Sequence, residues 1–99
     1  MTNTTPTIRS IRARAKKILA DAGIAYAKSY PSRIRGWRIW DRGVTINEDY
    51  RKGVLAQVYA HNDYSPSRVR DQAQAVAVLR AAGWEVADNG DITKVPEAT

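Results

Sequence analysis

The chain has no cysteine, no phenylalanine and a single histidine among its 99 residues. Without cysteine, disulfides, thiolate metal sites and thiol nucleophiles are excluded, a usage that agrees with a reducing, cytoplasmic setting. His61, with Asp63 two residues on, does not complete a metal site, and one imidazole supports no convincing Ser-His-Asp arrangement. No glycine loop of the phosphate-cradling kind is present. Asp41, Glu48, Asp49 and Lys52 match no defensible nuclease spacing, and residues 48–52 read as a solvated loop. The expectation is a protein that is not an enzyme, with no catalytic residues, no metal and no cofactor. No apolar run approaches the roughly 18 residues that span a bilayer, and "MTNTTPTIRS" lacks the apolar stretch of a signal peptide, so no membrane partner is expected.

What the chain does have is arginine. It carries eleven against five lysines, and fifteen alanines, for a net charge of +6. The charge is unevenly placed: residues 1–52 balance to +8 and residues 53–99 to −2. Such asymmetry is an argument about partners, here a polyanion (DNA or RNA) or an acidic protein, and not about fold. The arginine and alanine bias has the character of high-GC coding, and in style the chain resembles small orphan proteins of high-GC bacteria and their phages.

Length predicts one domain, 1–99, able to bury roughly two-thirds of its unfolded surface, with ends at 1–5 and 96–99 that read as disordered. Two helices are legible. In "TPTIRSIRARAKKILADAG", Thr5 caps, Pro6 takes the first position, Ile8, Ile11, Ala15, Ile18, Leu19 and Ala22 recur at three and four, and Gly23 stops the helix, giving 6–22. In "SPSRVRDQAQAVAVLRAAG", Ser65 caps a helix over 66–82, with Val69, Ala73, Val76 and Leu79 as its stripe and alanines nearly all round. Their exits repeat, "ILADAGIAYA" over "VLRAAGWEVA", each a helix handing over to a strand. Between them, 24–30, 33–41, 44–47 and 54–61 read as extended runs, and "EVADNGDITKV" places Asn89-Gly90 as a hairpin turn. The predicted class is α+β: an antiparallel sheet of three to five strands with two helices packed on one face, in the order α-β-β-β-α-β(β).

The segment "RIRGWRIWDRG", 33–43, holds four arginines and two tryptophans. Read as a strand, it puts Arg33, Arg35, Trp37, Ile39 and Asp41 on one face and Ile34, Gly36, Arg38, Trp40 and Arg42 on the other. If the helices cover the face holding Trp37 and Ile39, Trp37 joins the core and Trp40 stays half exposed; the alternation leaves open which of the two is the exposed ring. The run 54–61 sorts into Val54, Ala56, Val58 and Ala60 inward against Leu55, Gln57, Tyr59 and His61 outward, which makes Tyr59 a neighbour of Trp40. Arg38, Trp40, Arg42 and Tyr59 therefore form one candidate nucleic-acid surface, with Arg33 and Arg35 of the same strand as further binding candidates, and the ridge Arg9, Arg12 and Lys16 on the first helix a second. Two other readings stay open: rings covering a thin sheet with arginines lying over them, and a protein-binding hot spot. Homodimerisation through an exposed edge strand is compatible with any of these.

The order helix, three strands, helix resembles that of the double-stranded-RNA-binding domain, and "SRVRDQAQAVAVL" at 67–79 is similar to the basic, alanine-rich start of that family's last helix. Arg68 and Arg70, split by Val69, stand where the family has paired lysines, and extended chain follows the helix. The resemblance covers topology and one short helix, and it assigns no residue a role. Helix-turn-helix is disfavoured, because a sheet separates the helices. No RNP-type aromatic motif, GxxG clamp or zinc-finger spacing occurs.

Overall fold

The computed structural model describes residues 6–62 and 65–97. Two helices and two antiparallel sheets make an α+β architecture in the order α-β-β-β-β-α-β-β. Helix α1 is Ile8–Asp21, and its cap is Thr7, not the expected Thr5, which lies outside the described residues. Thr7 has extended backbone angles, so its carbonyl accepts from Ile11 N–H at 2.9 Å while its Oγ1 accepts from Ser10 N–H at 3.1 Å. Pro6 thus precedes the cap instead of opening the helix. Ile11, Ala15 and Leu19 are buried, with Ile8 and Ile18 packed beside them.

Helix α2, Ser65–Ala81, starts one residue before the expected position, and the proposed Ser65 cap falls on a side chain outside the described set. Its buried stripe is Ala75, Val76 and Leu79, whereas Val69 and Ala73 are exposed. The expected stripe is therefore rotated, because Gln72 takes an inward position to bond the sheet. The alanines that made the helix look apolar all round partly face solvent, where they serve as helix formers.

The two exits repeat in bonding as well as in sequence. Ile24 N–H reaches Leu19 O at 2.8 Å and Gly23 N–H reaches Ala20 O at 2.9 Å; Trp84 N–H reaches Leu79 O at 3.1 Å and Gly83 N–H reaches Arg80 O at 3.0 Å. Each is a reversal closed by a left-handed glycine and sealed by an apolar residue. The chain leaving α1 then runs along one edge of the main sheet, and the chain leaving α2 forms strand β5, Glu85–Val86, at the other.

That main sheet holds β3, Gly43–Glu48, β4, Ala56–His61, β6, Asp91–Lys94, and β5, in the order β3-β4-β6-β5. The β3–β4 register pairs Val44 with Ala60, Thr45 with Tyr59 and Ile46 with Val58. Val44, Ile46, Ala56, Val58, Ala60 and Ile92 point inward and meet both helices in one core with Trp84 and Val86. Each fully buried Ile, Leu or Val there contributes about 1.5–3 kcal/mol. The parity expected of 54–61 holds over 56–61, whereas Leu55, expected outward, packs against the core and Val54 does not join it; Asn89-Gly90 turns β5 into β6 as predicted.

The free edge of β3 is occupied by the chain itself. Val44 N–H donates to Ala25 O at 3.0 Å, Ala27 N–H to Val44 O at 2.9 Å and Ile46 N–H to Tyr26 Oη at 3.0 Å, while Arg12 Nε donates to Ile46 O at 3.0 Å. Half of the other edge of β4 lacks a strand partner, since β6 pairs only with Ala56 and Gln57. Gln72 fills that gap: its Oε1 accepts from Ala60 N–H and its Nε2 donates to Val58 O, both at 2.8 Å. A side-chain amide here replaces a peptide group in the ladder.

The expected strand 33–41 is the principal correction. Strand β1, Ser29–Pro31, pairs with β2, Arg38–Trp40, as a separate two-stranded sheet with Tyr30 opposite Ile39. Residues 32–37 form its tip: Ile34 N–H donates to Ser32 Oγ at 3.0 Å and Trp37 N–H to Ile34 O at 3.0 Å, with Gly36 at φ +86° in the third turn position. The mid-run glycine marks a turn, so the alternation assumed across 33–37 does not exist. Neither Trp37, 68% exposed, nor Trp40, 44% exposed, is core; the core tryptophan is Trp84, 3% exposed.

Gly90 is the position this packing tolerates least. It sits at φ +98°, and an added Cβ would overlap the Val58 carbonyl oxygen and lie 2.5 Å from Gln72 Nε2. Gly90→Ala is expected to lower unfolding stability by about 2 kcal/mol or more. Urea unfolding checks this, and an unchanged midpoint would show that the β4–Gln72–Gly90 junction contributes little.

Candidate nucleic-acid interface

The β3–β4 register that sends Val58 and Ala60 inward sends Tyr59 and His61 outward. His61 Nε2 is 2.8 Å from Thr45 Oγ1 on the neighbouring strand, which holds the imidazole at a fixed angle. Trp40, at the end of β2, stacks on it with ring centroids 4.4 Å apart and planes 14° apart. Tyr59 meets the same ring edge-on at 4.9 Å. The expected Trp40–Tyr59 neighbourhood is therefore real and is mediated by His61. These rings root the β1–β2 hairpin onto the outer face of the main sheet.

Arg68, in the first turn of α2, completes the arrangement from the other side. Its guanidinium lies 5.8 Å from the Tyr59 ring centroid, a cation–π contact. Arg38, on β2, donates from Nε to Ser29 Oγ at 2.8 Å and from a terminal nitrogen to Ser29 O at 3.2 Å. Together these groups line an open cleft of about 370 Å³ whose walls include Arg38, Trp40, Tyr59, His61 and Arg68. No acidic residue lies among the described residues that line it.

The structure separates the proposed arginines by what they already bind. Arg42 makes a two-pronged pair with Asp71 of α2, both contacts at 3.0 Å, so it braces the hairpin base and would meet a ligand only in competition with that carboxylate. Arg12 is spent on the β3 edge, and Lys16 lies 4.6 Å from the Tyr26 ring. Arg9 is exposed and free of such contacts, so the α1 ridge is only partly available. The ridge lies on α1, whereas the cleft is lined by β2, β4 and the start of α2, so the two candidate surfaces draw on different elements. Arg33 and Arg35, at the hairpin tip, are exposed without ion-pair or hydrogen-bond partners among the described residues, beside Trp37 and Ile34.

Sequence reasoning missed His61 as the hub and Arg68 as a wall. The outward parity of His61 was available; its stack needed the hairpin to fold back. Arg68 was visible only as the start of a helix, and its place beside Tyr59 is set by how α2 packs on β4. Among the described residues no group of three His, Cys, Asp or Glu side chains is placed to hold a metal ion, and no helix is long and apolar enough to cross a membrane. No protein-family model, curated protein or solved structure matches the chain.

Burial lowers the His61 pKa below its ordinary 6.5, because the charged ring is poorly solvated between Trp40, Tyr59 and Thr45. The unfolded chain then takes up that proton first, so stability is full above pH 6.5 and declines as pH falls below it. Asp71, bonded by Arg42, and Asp49, bonded by Arg51 and lowered to about 2, act in a separate window: their contributions are present above 3.8 and lost below it. Thermal midpoints measured against pH should fall in two stages, and His61→Gln should remove the upper one alone. Persistence of the upper stage in that variant would refute its assignment to His61.

Proposed function

We propose that this protein binds nucleic acid mainly through phosphate contacts, and that the β1–β2 hairpin is the element that engages the polymer. The observation that carries this reading is the tip: Arg33 and Arg35 are exposed and unpaired on a two-stranded ribbon that also carries exposed Trp37. Unpaired guanidiniums neutralise phosphates and release counterions at no cost in broken ion pairs. A two-stranded ribbon has the dimensions to enter a major groove about 12 Å wide. Arg38 and Arg68 extend the same positive surface down to the cleft, while Arg42 supports it from behind. The role is one of binding, weakly selective for sequence, since phosphate contacts position a protein on the polymer without reading its bases.

An acidic protein is the second candidate partner, and one observation favours it: Ile34 and Ile39 are also exposed on the hairpin, and aliphatic chains offer no stacking plane. They do suit the apolar centre of a protein interface beside tryptophan and arginine.

Fluorescence anisotropy against labelled duplex DNA, duplex RNA and single strands separates the two. Phosphate-driven binding is expected to weaken steeply between about 50 and 200 mM salt. Reversing charge at the tip, Arg33→Glu with Arg35→Glu, should weaken binding by about tenfold or more and reduce the salt slope by roughly 2. Absence of binding to all three polymers at low salt would defeat the reading and leave the acidic protein as the partner to seek.

A further inference from the structure

The outer-face cleft has two properties that a phosphate-binding surface alone does not require. Its floor is aromatic: His61 is fixed by Thr45, Trp40 lies flat on it and Tyr59 closes on its edge. Trp40 remains 44% exposed after that stack, so the indole keeps an open surface toward the cleft. Its rim is cationic on opposite sides, with Arg38 contributed by the hairpin and Arg68 by α2. Asp71, whose partner Asn62 lines the cleft, is held by the two-pronged Arg42 contact. A volume of about 370 Å³ is enough for one planar heterocycle with its sugar.

We propose that this cleft receives an unpaired base of a single-stranded nucleic acid, stacked on Trp40, with Arg38 and Arg68 meeting the phosphates on its two sides. The inference rests on the nucleic-acid reading above and names the form of polymer that the site selects. The reasoning is one of matching chemistry. A flat aromatic surface between two cations fits a ligand that is itself a π-plane between two anions, and a nucleotide within a strand is such a ligand. In a duplex both faces of a base are covered by its neighbours, so the rings find nothing to stack on and only the arginines contribute. A carboxylate-bearing protein would satisfy the arginines and leave the stack unused. Trp40 is held in place before binding by His61, so little ordering is required of it when a base arrives.

The test compares a strand of about 12 nucleotides, its duplex and inorganic polyphosphate of similar charge, binding to a Trp37→Phe protein. In that variant Trp40 is the exposed tryptophan, since Trp84 is buried, and its fluorescence reports the cleft directly. The single strand is expected to bind about tenfold more tightly than the duplex and to quench Trp40, the effect of one base–aromatic stack. Trp40→Ala should abolish that preference, so that strand and duplex bind alike and the strand's roughly tenfold advantage is lost. Trp40→Phe, which keeps a ring against His61, should retain part of it, and it guards against loss of the hairpin in the alanine variant. Equal affinity for strand and duplex without quenching would overturn the base site and leave the phosphate reading standing. Polyphosphate binding as tightly as the strand would overturn it in the same way. Failure of all three ligands to bind would overturn both.

Discussion

The register between β3 and β4 is the constraint on which the other features depend. Pairing Val44 with Ala60 and Ile46 with Val58 puts four apolar side chains beneath the helices, and the same alternation puts Thr45, Tyr59 and His61 on the outer face. A slip of one residue would turn the apolar set to solvent and the aromatic set into the core, so burial enforces the register strongly. The imidazole that receives Trp40 is outward because Val58 and Ala60 are inward. The cleft is thus a consequence of core packing on the reverse side of one sheet.

Keeping that small sheet intact takes an unusual share of side-chain hydrogen bonding. Tyr26 and Arg12 serve the edge of β3, Gln72 serves the uncovered half of β4, and Arg80 donates from Nε to Val86 O at 2.7 Å on β5. Strand edges left open would template pairing with other chains, and here the protein covers them with its own groups. This use of side chains divides the arginines into two kinds. Arg12, Arg14, Arg38, Arg42, Arg51 and Arg80 hold backbone carbonyls or carboxylates, whereas Arg33 and Arg35 at the hairpin tip hold none among the described residues. The free cations that can contribute to binding are far fewer than the composition suggests.

The three tryptophans divide in a parallel way. Trp84 follows the α2 reversal and fills the core with Arg14 5.6 Å from its ring centroid, Trp40 lies between sheet and solvent, and Trp37 stands at the hairpin tip. Their residue type is shared, and their roles follow from the backbone that presents them. Trp84 is carried by a helix-to-strand handover with a strong local signal. Trp37 and Trp40 are carried by a hairpin whose turn is masked by the alternation of arginine with large apolar residues around it.

The sequence by itself determined the α+β class, both helices to within two residues at each end, the twin glycine reversals, the inward face of β4 and the Asn89-Gly90 turn. All of these are local: caps, periodicity and turn chemistry act within a few residues and are legible wherever they occur. Only the tertiary structure decided that 33–37 is a hairpin tip, that Gln72 completes a strand edge, that Arg42 is bound to Asp71 and that His61 joins Trp40 to Tyr59. Most of those facts depend on groups distant in sequence meeting in space, as Arg42 and Asp71 do across a separation of 29. Alternation within a segment shows which residues share a face; it does not show what covers that face. The physical reason is that exposure and charge pairing belong to the assembled chain, whereas backbone preference belongs to the residue and its neighbours.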